Sequence, residues 1–296
     1  MSFQENVLPI EGSSVALSRG DRRIGSILAE EGRLDAADIQ RVMQLQHMEG
    51  LRFGDAALRL GLINVDDLHG AIAKQYNLPH LLPGNDSFSD ELVIAQDPFN
   101  PRAEELRGLR TQLLIRWSRA GVKHRVLAIV SPGAGEGRSY VAANLAVAFS
   151  QLGERTLLID ADLRNPRQHQ IFNVSDRVGL SAVLSGRVGR GAVAPVPEFG
   201  ALSLLPAGAR PPNPQELLAG LGLGVLLHEL RTEFDVILID TAPARAYADA
   251  QAVAFRAGNA LVVARKDTTR LADTKTVIRE LGDMGAHIVG TVFNSF

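Results

Sequence analysis

The chain has 296 residues, 46% of them apolar and 22% charged, with a formal net charge of -2 and no cysteine. That excludes disulfides, thiolate metal sites and a cysteine nucleophile, leaves overall charge silent about partners, and allows one large or two modest domains with real cores. The first residues, MSFQENVLPIEGSS, are acidic without an apolar segment, and no apolar run is long enough to span a bilayer, so a cytoplasmic protein is expected that reaches a membrane only through a partner.

Residues 1–20 read as a flexible tail. A template then occurs twice: Arg23, Gly25, Leu28, Gly32, Ile39, Met43 and Gln46 return 29 residues later as Arg52, Gly54, Ala57, Gly61, Leu68, Ile72 and Gln75. Each copy reads as helix, tight turn and helix. Gly32 and Gly61 are the helix stops, Asp35 and Asn64 the N-caps, and Asp38 and Asp67 fill the capping-box position. Ile39, Met43, Leu68 and Ile72 are expected to face a small shared core. A duplicated helical hairpin explains the apolar positions, but not Arg-x-Gly at each entrance or Gln at each exit. Arginine offers a planar fork for phosphate or a guanine edge, glycine permits close backbone approach, and glutamine donates and accepts; two copies suit a ligand with two similar halves. The repeated spacing resembles the MshEN domain of type II secretion and pilus ATPases. That resemblance implies cyclic di-GMP binding over 21–82, by Arg23, Ile24, Gly25, Leu28, Gly32 and Gln46 in one copy and Arg52, Phe53, Gly54, Asp55, Gly61 and Gln75 in the other. Ala57 departs from the pattern, which prefers a larger aliphatic residue, and Leu58 stands beside it.

Prolines and turn formers between 80 and 101 mark a domain boundary, with 83–99 expected as linker. The next stretch, RAEELRGLRTQLLIRWSRA, reads as an amphipathic helix with Leu106, Leu109, Leu113 and Trp117 on one side. Glu104, Arg107 and Arg110 form E-x-x-R-x-x-R on a neighbouring face, either a solvated charged stripe or a subunit contact.

The segment RVLAIVSPGAGEGRS joins an apolar strand to a glycine loop and a helix start, which describes a phosphate cradle. Gly133, Gly135, Glu136, Gly137, Arg138, Ser139 and Tyr140 are the expected nucleotide contacts, and Ser139 would offer a hydroxyl to Mg²⁺. A strict G-x-x-x-x-G-K-[ST] pattern would need glycine at Pro132 and lysine at Arg138. Further apolar strands (RTLLID, ALSLL, DVILID, ALVVA and HIVGTVF) alternate with helical patterns. The fold class is therefore α/β: a mainly parallel sheet covered by helices, preceded by a small all-helical repeat domain. Asp160 and Asp162 end one strand and Asp240 another, and carboxylates at such ends suit Mg²⁺ and an attacking hydroxyl.

The glycine loop, LLIDADLR and VILIDTAP together resemble the Walker A, A′ and B segments of bacterial tyrosine kinases. LIDADLRNPR and RPPNPQELL resemble the EpsG-type subfamily. Over 100–296 the resemblance implies ATP and Mg²⁺ as cofactors, Ser139, Asp162 and Asp240 at the metal, Asp160 as base or phosphate-site acid, and Asn294 at the nucleotide base. It further implies a homo-oligomer assembled through the E-x-x-R-x-x-R helix, a Wzz-like membrane copolymerase as partner, a place at the inner membrane, and no nucleic acid. Arg138 stands where the family has a lysine, so a nucleotide-holding pseudokinase is the alternative. Only Tyr76, Tyr140 and Tyr247 occur, without a tyrosine-rich tail, so the expected phosphorylation target is another protein. A partitioning ATPase of the ParA or MinD type is disfavoured by Gly133 at the signature-lysine position and by the lack of a basic C-terminal amphipathic helix.

Overall fold

The computed structural model describes residues 24–75, 87–97, 99–119 and 125–295, which fall into two compact units, Met1–Leu78 and Pro79–Phe296. The tail over 1–20, Arg23 and Tyr76 lie outside the described residues.

The first unit holds α1 (Ile24–Glu30), α2 (Ala36–Glu49), α3 (Phe53–Arg59) and α4 (Val65–Gln75). Gly32 and Gly61 end their turns at φ 68° and 66°, a region glycine enters without strain. Asp35 closes a reciprocal capping box with Asp38, and Asn64 and Asp67 do the same, satisfying helix N–H groups that would otherwise be unpaired. Packing is crossed: α1 lies against α4 and α2 against α3. The core is narrow, with Leu28, Val42, Ala56, Ala57 and Ala71 fully buried. Glycine permits this closeness, because a Cβ on Gly54 would stand 2.6 Å from Leu68 Cδ1, and one on Gly25 would stand 2.9 Å from Phe53 Cζ. One expected core residue is corrected. Met43 is 55% exposed, because the inward face of α2 runs through Ile39, Val42 and Leu45 and leaves position 43 outside.

The second unit opens with α5 (Val93–Gln96) and α6 (Pro101–Arg119), then alternates β1 (Arg125–Val130), α7 (Arg138–Ser150) and β2 (Thr156–Asp160). There follow α8 (Gln168–Ile171), α9 (Leu180–Leu184), β3 (Ala194–Pro195), β4 (Leu202–Leu205), α10 (Pro214–Ala219), α11 (Leu221–Leu230) and β5 (Val236–Asp240). The unit ends with α12 (Asp249–Ala257), β6 (Asn259–Arg265), α13 (Leu271–Asp283) and β7 (His287–Asn294). The sheet order is β3-β4-β2-β5-β1-β6-β7, parallel throughout except for the antiparallel β3. β2 and β5 are buried along their whole length, as sheets covered on both faces require. One apolar layer gathers α5, α6 and α7 over the sheet; the other gathers α10 to α13.

The stretch expected as linker is also corrected in its described part. Leu92, Ile94 and Ala95 are fully buried, the Ile94 N–H donates to Asn144 Oδ1 at 3.2 Å, and Asn144 Nδ2 donates back to Glu91 O at 2.7 Å. An apolar turn with its backbone polar groups satisfied by α7 is part of the core rather than a tether. Among the described residues no helix is long and apolar enough to cross a membrane.

Candidate nucleotide site

Three strand ends and one loop build the site. After β1 the chain turns through 131–137, with Gly135 at φ 71° and Gly137 at φ 91°, before α7 begins. A glycine turn running into a helix N-terminus is the local geometry at which backbone N–H groups can meet an anion. β2 and β5 are parallel neighbours in a register that sets Asp160 directly opposite Asp240.

Asp160 is fully buried and accepts backbone N–H groups from Asp162 at 3.2 Å, Arg167 at 3.0 Å and Gln168 at 2.9 Å. Burial, and then the neighbouring Asp240, push its carboxyl well above the usual range in spite of those donors. Asp240, also fully buried, is raised by the same desolvation, while Arg138 and hydrogen bonds from Ser139 and Gln168 oppose the rise. Asp162 accepts from the N–H groups of Arg164 and Asn165 at 3.2 and 2.9 Å and faces Arg138 Nη2 at 3.6 Å.

Arg138 is engaged within the protein. Its side chain is 7% exposed: Nε donates to Thr241 O at 2.8 Å, and Nη1 donates to Gly133 O at 2.8 Å and to the Ser131 hydroxyl. The longer, planar fork finds three acceptors in its own loop and the β5 end, where a lysine offers one compact ammonium. Glu136 is likewise engaged within the protein. Its carboxylate accepts from the Gly133 N–H at 2.9 Å and the Thr269 hydroxyl at 2.6 Å, bracing the loop against the segment after β6. Gly133 serves that brace, since a Cβ there would meet Glu136 Oε1 at 3.0 Å.

Gly135, Gly137, Tyr140 and Asn294 line one cleft of about 970 Å³ beside the loop, with Leu109 and Phe293. Asn294 Nδ2 reaches Glu136 O at 3.4 Å. The expected base contact and the phosphate loop are thus neighbours. The E-x-x-R-x-x-R triplet divides: Arg107 pairs with exposed Glu104 at 2.9 Å, while Arg110 is half-buried and donates to Ala148 O at the same distance. Arg110 therefore ties α6 to α7 within the chain.

Sequence reasoning missed Gln168. Fully buried, it donates from Nε2 to Asp240 Oδ2 at 2.8 Å and to Ser139 O at 3.1 Å. Its position eight residues past the strand end carried no signal, because both contacts depend on the folded sheet.

The donor set fits Mg²⁺. Asp240 Oδ1 and Gln168 Oε1 are buried oxygens without a hydrogen-bond partner, and such groups call for a cation or water. Among the described residues no three carboxylate or imidazole groups converge as a complete metal cage. Mg²⁺ does not require one, since it takes one or two protein oxygens and completes its shell with water and phosphate. Ser139 and Asp240 would hold it, with Asp162 nearby, and it would supply charge neutralisation at the phosphates.

In the helical unit, Leu28, Gly25, Gly54, Gly32 and Gly61 carry packing and turns, and Ile24 and Phe53 pack partly against the core. Arg52 and Asp55 are exposed, and Gln46 and Gln75 half-exposed. Gln46 lines an open depression of about 760 Å³ with Met43, Met48 and Leu51.

Known proteins share this arrangement. The family model for the CobQ/CobB/MinD/ParA nucleotide binding domain matches residues 127–296. The tyrosine-protein kinase wzc of Salmonella typhimurium is 34% identical over 205 residues, 69% of this chain. CapB of Staphylococcus aureus, provisionally named a tyrosine-protein kinase, is 32% identical over 203 residues, 69% of this chain and 88% of its own length. The kinase domain of the Escherichia coli tyrosine kinase ETK superposes with a TM-score of 0.65 at 28% identity, covering 69% of this chain and 79% of that one. The chain spans only 27% to 28% of the length of the longer curated relatives it matches. With its parallel sheet, glycine loop and paired strand-end aspartates, the chain belongs to the CobQ/CobB/MinD/ParA family of nucleotide-binding domains.

Proposed function

We propose that the protein is an ATP-dependent phosphoryl-transfer regulator of exopolysaccharide assembly, working beside a Wzz-like membrane copolymerase and biased by cyclic di-GMP at its helical unit. The observation carrying this reading is Asp160 opposite Asp240 on adjacent strands, next to Ser139 and the glycine loop. The loop and the start of α7 bind the phosphates. Tyr140 and Asn294 border the base side. A carboxylate raised by burial is a stronger base than an ordinary one, so Asp160 takes the proton of an acceptor hydroxyl. That oxygen bonds the γ-phosphorus as the bond to the ADP oxygen breaks.

For the helical unit, the support is its twofold character. Crossed packing relates α1 and α2 to α3 and α4, as a ligand with two equal halves requires, and Arg52 and Gln46 stay available at its surface. Control of the kinase unit then needs cyclic di-GMP to bind two states of the protein with different affinity.

A second reading, a pseudokinase that relays by binding alone, is favoured by the inward engagement of Arg138. ADP release from Mg-ATP, with and without saturating cyclic di-GMP and in the presence of the cytoplasmic part of the copolymerase, separates the two. Turnover that responds to the dinucleotide is expected. ATP binding without turnover selects the relay, and a large gain in turnover on Arg138→Lys identifies arginine as the disabling change.

A further inference from the structure

Next to the base-side cleft, with Arg167 bordering both, a second cleft of about 620 Å³ opens between the segment after β2 and the segment after β4. Its walls carry Arg167, His169, Arg177 and Arg210 against a single carboxylate, Asp176. The charges are unevenly compensated. Asp176 is held 3.5 Å from His169 Nε2, and Arg167 is paired with Glu91. Among the described residues Arg210 has the neutral side-chain oxygen of Asn165, at 3.2 Å, and no carboxylate partner. Among the described residues the Arg177 guanidinium has no ion-pair partner, while its backbone N–H donates to the Ser175 hydroxyl at 3.4 Å. His169 adds a buried Nδ1 without a hydrogen-bond partner.

The cleft is built rather than incidental. A Cβ on Gly179 would stand 2.1 Å from Pro206 O and 2.4 Å from the Gly208 N, so two backbones touch where neither residue can carry a side chain. Leu180 and Ser181 donate their N–H groups to Pro206 O and Ala207 O at 2.7 and 2.9 Å, and the Ser181 hydroxyl donates to Ala209 O at 2.7 Å. Arg177 lies two residues before that seam and Arg210 two residues after it. The seam therefore brings two cations from distant parts of the chain to one rim, on backbone already ordered before anything binds.

Position gives the cleft its meaning. Its wall over 165–170 is the same segment whose N–H groups hold Asp160 and Asp162. A chain lying in the cleft would thus pass beside the carboxylates. Separate guanidinium forks on an open floor of Pro166, Gly208 and Ala209 match spaced carboxylates better than one compact phosphate, which prefers a nest of N–H groups.

We infer that this cleft docks the acidic segment flanking the acceptor tyrosine of a protein substrate, with Arg177 and Arg210 as its specificity-determining cations. The inference rests on the kinase reading for the word substrate, but docking itself is measurable without catalysis. Fluorescence anisotropy on the full chain would use labelled tyrosine peptides flanked by glutamate, glutamine or lysine. The glutamate peptide is expected to bind at least about tenfold tighter than the glutamine peptide, with affinity falling as salt rises. Arg177→Gln with Arg210→Gln should remove that preference while leaving the melting temperature and the affinity for a fluorescent ATP analogue unchanged. Equal affinity for the three peptides, or a preference that survives the double variant, overturns the inference. So does displacement of the glutamate peptide by inorganic phosphate at concentrations where chloride of equal ionic strength has no effect, which would mark a phosphate site. Acidic-peptide binding without phosphorylation removes the kinase reading and keeps the dock; phosphorylation with the same KM for all three peptides does the reverse.

Discussion

The two units treat their polar groups in opposite ways. In the nucleotide unit Asp160, Asp240 and Gln168 have no solvent exposure and Arg138 very little, so the site is made of charges held at the buried strand ends of the sheet. In the helical unit Arg52 and Asp55 stand exposed over a core of alanines and a few aliphatics. Buried charge is costly unless paired or met by a ligand, whereas an exposed arginine costs the fold almost nothing. Function and stability should therefore be coupled in one unit and separable in the other.

The strongest way to break that contrast is Asp240→Asn. Removing one of two facing buried carboxylates should lower Mg-ATP turnover by about a hundredfold or more while raising the melting temperature measured without nucleotide. A lower melting temperature would mean that the pair is not under electrostatic strain. Next in size, Gly54→Val drives a side chain into Leu68 and should cost the helical unit about 1–3 kcal/mol. Hydrogen exchange would show faster exchange over 24–75 and unchanged protection in β1, β2 and β5. Arg52→Ala sharpens the comparison from the other side: cyclic di-GMP affinity by calorimetry should fall about tenfold or more, with stability unchanged within about 0.5 kcal/mol. The smallest effect belongs to Arg155 and Asp235, whose bidentate pair (2.7 and 3.0 Å) lies at the surface. The Arg155 side chain holds the Asp235 carboxyl below its ordinary value. The folded state therefore favours the ionised form, and the stabilisation is present at neutral pH and lost as pH falls through the acid range. Arg155→Ala should lower the melting temperature by only about a degree or two at pH 7, and by less near pH 3.

What was legible in the sequence follows the same division. Apolar runs ending in aspartate fixed β2 and β5 to within a residue, because a strand buried on both faces leaves little freedom in composition. The repeat and its capping boxes were equally plain, since both are local. Contacts across the sheet were not legible. Nothing near Gln168 announces that it meets Asp240, 72 positions away, and nothing in GEGRS tells that the arginine folds back onto Thr241. Met43 was misplaced because a repeat offset preserves spacing without fixing which side of α2 faces inward. The two-residue β3, ending in Pro195, carries too few residues to form a pattern.

The crossed pairing of the four N-terminal helices also governs the order of folding. While the chain is being synthesised, α1 and α2 emerge first, but their partners α4 and α3 belong to the second copy. The first copy therefore lacks its main packing partners until the second has been added, and the module is expected to form in one late step rather than hairpin by hairpin. Neither copy can be deleted or exchanged as a cassette: the inheritable unit is the pair.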